Sequence, residues 1–258
     1  MITSTSNPKV KYLVQLQKKR KLREEKGIFL VEGVRMFRET PKELIEEIYI
    51  SEQLRSKNPD ILQGLSSRVE ILTETVFRKI SETQTPQGIL CIVKRKNYCL
   101  AELLKNEKAH ILVLDGLQDP GNVGTILRTA EAAGVTGIIV SNETADLYQP
   151  KTIRSTMGSI FRMPCVVVED VVDTINEMKK NNIFTFAAHL EGEKWYNEVM
   201  YTGKTAFLIG NEGNGLSKEV AEQADTWIRI PMEGEVESLN AAVAATVLMY
   251  EAYRQRRK

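Results

Sequence analysis

From residue 110 onward the sequence alternates short, uninterrupted apolar runs with stretches of helical periodicity, and this rhythm is its strongest constraint on fold. HILVL, GIIVS, IFTFAA, TAFLIG and WIRIP are five or six residues long, which suits strands buried on both faces. Between them lie NVGTILRTAEAAG, with Val123, Ile126, Leu127 and Ala130 on one helical face, then DVVDTINEMKKNN and SKEVAEQA, and after them the long LNAAVAATVLMYEAYRQRR. Strands alternating with helices predict an α/β domain with a mainly parallel sheet covered on both sides. In such sheets ligands bind beyond the carboxyl ends of the strands, so the strand-to-helix loops are where chemistry belongs.

The first hundred residues carry a looser α/β pattern. Lys9 to Lys26 reads as one amphipathic helix, IFLVEG as a strand, and 34–47 as a helix interrupted at Pro41. IEEIYIS, VEILTETVFRKIS and TPQGILCIVKR supply a strand, a strand followed by a helix, and a closing strand. The expected division is a domain over 1–98, a polar linker over 99–108 and a larger domain over 109–258.

Charge divides along the same line. Residues 1–98 hold 19 Lys and Arg against 12 Asp and Glu, a net +7; residues 99–258 hold 16 against 22, a net −6. A basic part joined to an acidic part suggests that one end meets a polyanion, and KVKYLVQLQKKRKLREEKG concentrates that charge. Cys91, Cys99 and Cys165 are odd in number and form no CxxC pair, and His110 and His189 are the two histidines. Reduced thiols in a cytoplasmic protein without a metal site are therefore expected. No apolar run approaches a membrane span, and MITSTSNPKV has no signal-peptide centre, so neither membrane insertion nor export is expected.

Three loops after strands are rich in glycine and polar groups. In DGLQDPGNVGTILRTAEAAG (115–134), Pro120 and Gly121 suggest a turn, and Asn122 stands where a helix N-cap would. Arg128 lies one turn beyond Gly124. This loop does not match GxGxxG, so a dinucleotide fingerprint is not supported. IGNEGNGLS (209–217) has the glycines that let backbone approach a ligand, yet Glu212 at its centre would repel phosphate. A ligand with hydroxyls or positive charge suits it better. In IPMEGEVESLNAAVAATVLMYEAYRQRR (230–257), Ser238 and Asn240 flank Leu239 at a helix start, and either could be its cap.

Taken in order and spacing, NVGTILRTAEAAG, GNEGNGLS and ESLNAAVAATVLMYEA closely resemble the SpoU (TrmH-like) family of RNA ribose 2′-O-methyltransferases. Residues 1–98 resemble that family's accessory substrate-binding domain, a small unit similar to an RNA-binding ribosomal protein. The resemblance implies a trefoil-knotted α/β methyltransferase domain, a homodimer, S-adenosylmethionine as methyl donor and no metal. It implies RNA as partner, ribosomal RNA before transfer RNA. Asn122, Arg128, Glu212, Ser238 and Asn240 would line the reaction centre, with S-adenosylmethionine held around Gly210, Ile230 and Leu239. Arg154 and Ser155, in RSTMGSIFRMP, would approach the RNA. The family role for Arg128 is to activate the ribose hydroxyl; a guanidinium keeps its proton at neutral pH and so leaves free base scarce, and bidentate phosphate binding stands beside that role. The competing readings are a non-catalytic RNA-binding protein, a base methyltransferase and, further off, a nucleotide-dependent oxidoreductase.

Overall fold

The computed structural model describes residues 1–257, which divide into two compact units: Met1–Lys96 with Asp146–Phe161, and Asn97–Ala145 with 162–257. In the first unit the chain runs α1 (Pro8–Lys18), α2 (Arg20–Lys26), β1 (Ile28–Glu32), α3 (Val34–Glu39), β2 (Ile45–Ser51), α4 (Glu52–Lys57), β3 (Arg68–Leu72), α5 (Glu74–Ile80) and β4 (Ile89–Lys94). The sheet order is β1-β4-β2-β3, with β4 antiparallel to both neighbours and β2 parallel to β3. The single opening helix expected over 9–26 is broken at Lys19, whose backbone is extended (φ −107°, ψ 102°). The 34–47 helix ends at Glu39, because Pro41 removes a donor and the apolar alternation of IEEIYIS belongs to a strand.

Strand β1 is buried on both faces, and two different parts of the chain cover it. Leu13 and Leu16 of α1 and Val76, Phe77 and Ile80 of α5 pack with Leu30, Tyr49, Leu90 and Ile92 on one face. Phe29 points the other way, its ring 5.1 Å from that of Tyr148 and 6.1 Å from that of Phe161. A strand buried on both sides needs two apolar layers, and residues 146–161 supply the second.

The second unit opens with α6 (Leu100–Lys105), inside the stretch expected to be a polar linker; its Leu103 and Leu104 are buried in the core. It continues through β5 (His110–Leu114), α7 (Pro120–Ala132) and β6 (Gly137–Ser141). The chain then contributes 146–161, carrying α8 (Pro150–Thr156), to the first unit. It returns with β7 (Cys165–Val168), α9 (Val171–Lys180), β8 (Phe184–Ala188), β9 (Lys194–Trp195), β10 (Thr205–Ile209), α10 (Lys218–Glu222), β11 (Thr226–Arg229) and α11 (Ala241–Arg256). The seven strands lie in the order β7-β6-β5-β10-β8-β11-β9, every pair parallel. The α/β class and mainly parallel sheet expected from the apolar runs are therefore present. Helices α6, α9 and α10 cover one face, and α7 packs against α11 on the other. At the end of α11 Arg256 donates to the carbonyls of Tyr201, Gly203 and Ala109, pinning the terminal helix to strand ends. Among the described residues no helix is long and apolar enough to cross a membrane.

The order reverses between β5 and β10. Leu114 and Ile209 are register partners there, and Asp115 N–H donates to the Ile209 carbonyl at 2.9 Å. The loops starting at Asp115 and Gly210 therefore leave the sheet side by side, at the kind of topological switch where open α/β sheets bind ligands.

Candidate active site

The two neighbouring loops are joined by one carboxylate. Glu212 Oε2 accepts from Gln118 N–H at 2.9 Å, and its Oε1 accepts from Asp119 N–H at 3.1 Å and from Asn122 Nδ2 at 2.9 Å. Burial by itself would raise the Glu212 pKa, but the donors from Gln118, Asn122 and Asp119 outweigh it and hold the carboxyl below its ordinary value. Asn122 in turn accepts from Asn240 Nδ2 at 3.0 Å. Asn240 Oδ1 caps α11, taking Ala242 N–H at 2.9 Å and Val243 N–H at 3.3 Å. A continuous chain of hydrogen bonds thus runs from the loop after β5, through Glu212 and Asn122, to the start of the terminal helix.

Asn122 is free for this because it is not the N-cap of α7. Asp119 holds that position and accepts Asn122 N–H at 2.9 Å, with Pro120 at the first helical position, where its missing N–H costs nothing. The Asn122 side chain is left to bridge Glu212 and Asn240. In the third segment Asn240, rather than Ser238, is the cap.

The loop after β10 closes on itself. Asn211 and Gly215 exchange backbone hydrogen bonds at 3.0 and 2.9 Å, and Asn211 Oδ1 accepts from Gly213 and Asn214 N–H. A Cβ at Gly210 would stand 2.1 Å from Leu216 N and 2.2 Å from Gly215 C, so the close approach that requires glycine is made by the loop's own backbone. Gly215 has φ +69°, which also favours glycine.

Beside this loop is a cavity of about 480 Å³ between the ends of β8, β10 and β11 and the start of α11. Gly210, Ile230 and Leu239 line it, as do Glu212 and Ser238. Ala188, Ile209, Ile228 and Leu248 add apolar wall, and His189, stacked on Trp227 at 4.3 Å, stands at its edge. Reading loops alone missed Ala188, His189 and Leu248, because they come from a strand end and from inside a helix. Gln118 and Asp119 were missed because they act through backbone N–H groups, which residue type does not reveal. An apolar pocket of this size with a few convergent polar groups is suited to a nucleoside-sized ligand.

Arg128 stands apart from both the cavity wall and the hydrogen-bond chain. It is exposed on α7 and makes no hydrogen bond or ion pair among the described residues. Arg154 and Ser155 fall in the first unit, where Arg154 meets Glu82 at 3.5 Å and the Ser155 hydroxyl donates to the Lys151 carbonyl.

Residues 109–250 match the model of the SpoU rRNA methylase family. The chain belongs to that family. Residues 7–91 match the MRM3-like substrate binding domain, so both units have counterparts in known proteins. The 23S rRNA (guanosine(2553)-2′-O)-methyltransferase RlmP of Bacillus subtilis is 34% identical over 251 residues, covering 96% of this chain and 97% of the relative. Among solved structures, the SpoU methyltransferase AviRb of Streptomyces viridochromogenes in complex with the cofactor AdoMet is 30% identical, with a TM-score of 0.89 over 98% of this chain and 99% of that one. An AdoMet-bound rRNA methyltransferase from Sinorhizobium meliloti is 32% identical, with a TM-score of 0.87 over 98% and 97%. Membership of this family sets aside the oxidoreductase reading.

Proposed function

We propose that this chain methylates a ribose 2′-hydroxyl of ribosomal RNA with S-adenosylmethionine as donor. The observation that carries the reading is the Glu212–Asn122–Asn240 hydrogen-bond chain, which runs beside the apolar cavity and fixes the loops around it. The residues present fit the donor. Ala188, Ile209, Ile228 and Leu248 suit an adenosine face, and the Glu212 carboxylate, held in its charged form, complements a sulfonium. S-adenosylmethionine, when bound, supplies an already activated methyl group.

The protein's part is then to position an oxygen and manage its proton. Asn122, held by two partners, and Asn240, held by three, orient the groups that meet the ribose, while Ser238 at the cavity edge offers one further hydroxyl. Arg128, exposed and unpartnered, is available to an RNA phosphate, and a guanidinium bound to that phosphate would hold the ribose for transfer. Gly210, Ile230 and Leu239 hold the donor through backbone and apolar contact. The domain over 1–98 binds the RNA, as its net charge of +7 and its match to a substrate-binding domain support.

The same reading includes a trefoil knot in the C-terminal domain, a homodimer and a cytoplasmic location. Val243, Tyr250 and Tyr253 leave an apolar strip of α11 exposed, which favours a second copy. Three free cysteines fit a reducing compartment. The deciding experiment incubates the protein with methyl-labelled S-adenosylmethionine and, in parallel, unmodified 23S ribosomal RNA or transfer RNA, then locates the label by nuclease digestion and mass spectrometry. Label on a ribose is the expected result; label on a base, on transfer RNA alone, or nowhere overturns the reading.

A further inference from the structure

A buried cation lies under the break between α1 and α2. Lys19 N–H closes α1 on the Gln15 carbonyl at 2.9 Å, and Arg23 N–H starts the next helix on the Lys19 carbonyl at 3.3 Å. The Arg23 side chain, 3% exposed, turns back under the break: Nη1 donates to the carbonyls of Leu16 and Gln17, and Nη2 donates to Asp146. Two carbonyls at the C-terminal end of α1, where the helix is electrically negative, are therefore covered by a guanidinium.

Outside the break, four consecutive cations, Lys18, Lys19, Arg20 and Lys21, stand at the corner. Arg20 is matched by Glu24 at 2.7 Å, and Lys21 only loosely by Glu25 at 3.9 Å with its side chain 88% exposed. Lys18 and Lys19 are exposed and form no ion pair among the described residues. Three poorly compensated ammonium groups within four residues repel one another, and Arg23 has removed the helix-end carbonyls that would have offset them or repelled an incoming anion. The corner borders a shallow groove whose lining residues are Gln15, Lys19, Arg20, Lys21, Leu22 and Glu25.

We propose that this corner is an RNA-backbone contact, with Lys18, Lys19 and Lys21 binding phosphates and Arg23 as the positioning residue that holds the corner open. The inference rests on the reading of this chain as an RNA methyltransferase and adds a contact in the first unit. A nucleic acid fits better than an acidic protein segment. Protein docking sites depend on desolvated apolar or aromatic anchors, and Leu22 is the single apolar residue lining this groove. Phosphate binding by lysine needs point charges and no anchor.

The test measures binding of unmodified 23S ribosomal RNA by fluorescence anisotropy across a salt series, for the full chain and for K18A/K19A/K21A. Three lost phosphate contacts should lower the slope of log affinity against log salt by about 2 to 3, and weaken binding most at low salt. K18R/K19R/K21R, which keeps the charge, should retain the slope. An unchanged slope in the alanine variant overturns the contact, as does a variant that loses binding to polyglutamate but not to RNA. Methyl transfer by the unaltered chain is measured in parallel, so that the two readings fail separately. Transfer with an unchanged slope removes the contact alone, whereas a changed slope without transfer removes the enzymatic reading alone.

Discussion

Asn122 donates its side-chain amide to the Glu212 carboxylate at 2.9 Å across 90 residues of sequence. Because Glu212 also takes two backbone N–H groups from the loop before α7, removing Asn122 strips one of three supports and leaves Asn240 with an unmatched donor. Asn122→Ala should cost about 1 kcal/mol of stability, the usual net worth of such a bond, and lower the melting temperature by a few degrees. Its effect on methyl transfer should be larger, at least tenfold, since the positions of two loops depend on it. Equal turnover in single-cycle assays would remove the chain from the site.

Glu212 gives a pH signature. Its carboxyl pKa is lowered in the folded state, so the stabilisation it contributes is present above the ordinary carboxylate range near 4.5 and is lost as pH falls through the lower folded value. Glu212→Gln keeps the shape but offers its backbone donors a neutral acceptor, and should flatten that acid limb in urea titrations between pH 5 and pH 3, about the carboxylate range. An acid limb identical to that of the unaltered chain would show that the three donors do not stabilise the charge.

His110 acts at a higher pH. Burial, followed by the neighbouring Arg256 charge, pushes the pKa of this imidazole down to about 3, and its Nε2 has no hydrogen-bond partner. The unfolded chain takes up a proton near pH 6.5 and the folded chain does not, so stability should fall with pH from about 6.5 towards 3. The slope for one proton is at most about 1.4 kcal/mol per pH unit. His110→Leu should remove that part of the slope while remaining folded at pH 7. Parallel stability curves for the two proteins would show that His110 protonates without unfolding.

What could be read from the residues, and what could not, follows the range of the interactions. Runs such as HILVL and TAFLI announce buried strands because every residue in them meets another layer, and both are fully buried. Asn122, Glu212 and Asn240, each no more than a turn or cap residue when its polar loop is read alone, were singled out by the family resemblance, and hydrogen bonds join them. The cap of α7 was misjudged by three residues, since Asp119 and Asn122 are both good cap residues and Pro120 at the first turn decides between them. The break at Lys19 is not signalled locally: beneath it Arg23 reaches the carbonyls of Leu16 and Gln17 and, 123 residues away, Asp146. Residues 146–161 were likewise assigned by sequence order to the C-terminal domain, whereas Tyr148 and Phe161 pack on Phe29 in the first unit.

Gly210 offers a sharp steric test. The Cβ that alanine would add meets backbone atoms of Gly215 and Leu216 rather than a yielding side chain. Gly210→Ala should therefore open the 211–216 loop and displace Glu212 and the cavity wall, reducing S-adenosylmethionine affinity by tenfold or more in calorimetry. The seven-stranded core should persist, because the clash lies beyond the end of β10. Normal cofactor affinity in this variant would mean that the loop's closed form is not the binding form.

Arg128 separates binding from transfer. It neither lines the cavity nor joins the hydrogen-bond chain, so Arg128→Ala removes no contact that holds the loops or the donor. S-adenosylmethionine should bind this variant within about twofold of the unaltered affinity, a difference of only about 0.4 kcal/mol, while methyl transfer to RNA falls at least a hundredfold. The form of the loss distinguishes the two roles open to the guanidinium. If it binds a phosphate, Arg128→Lys keeps a point charge, recovers part of the RNA affinity and leaves a slower transfer with little change in its pH profile. If it takes the hydroxyl proton, the lysine variant shifts the pH profile towards lower pH, because an amine near pKa 10.4 loses its proton more readily than a guanidinium. Full transfer activity in Arg128→Ala would exclude both roles and leave Asn122, Ser238 and Asn240 to position the ribose.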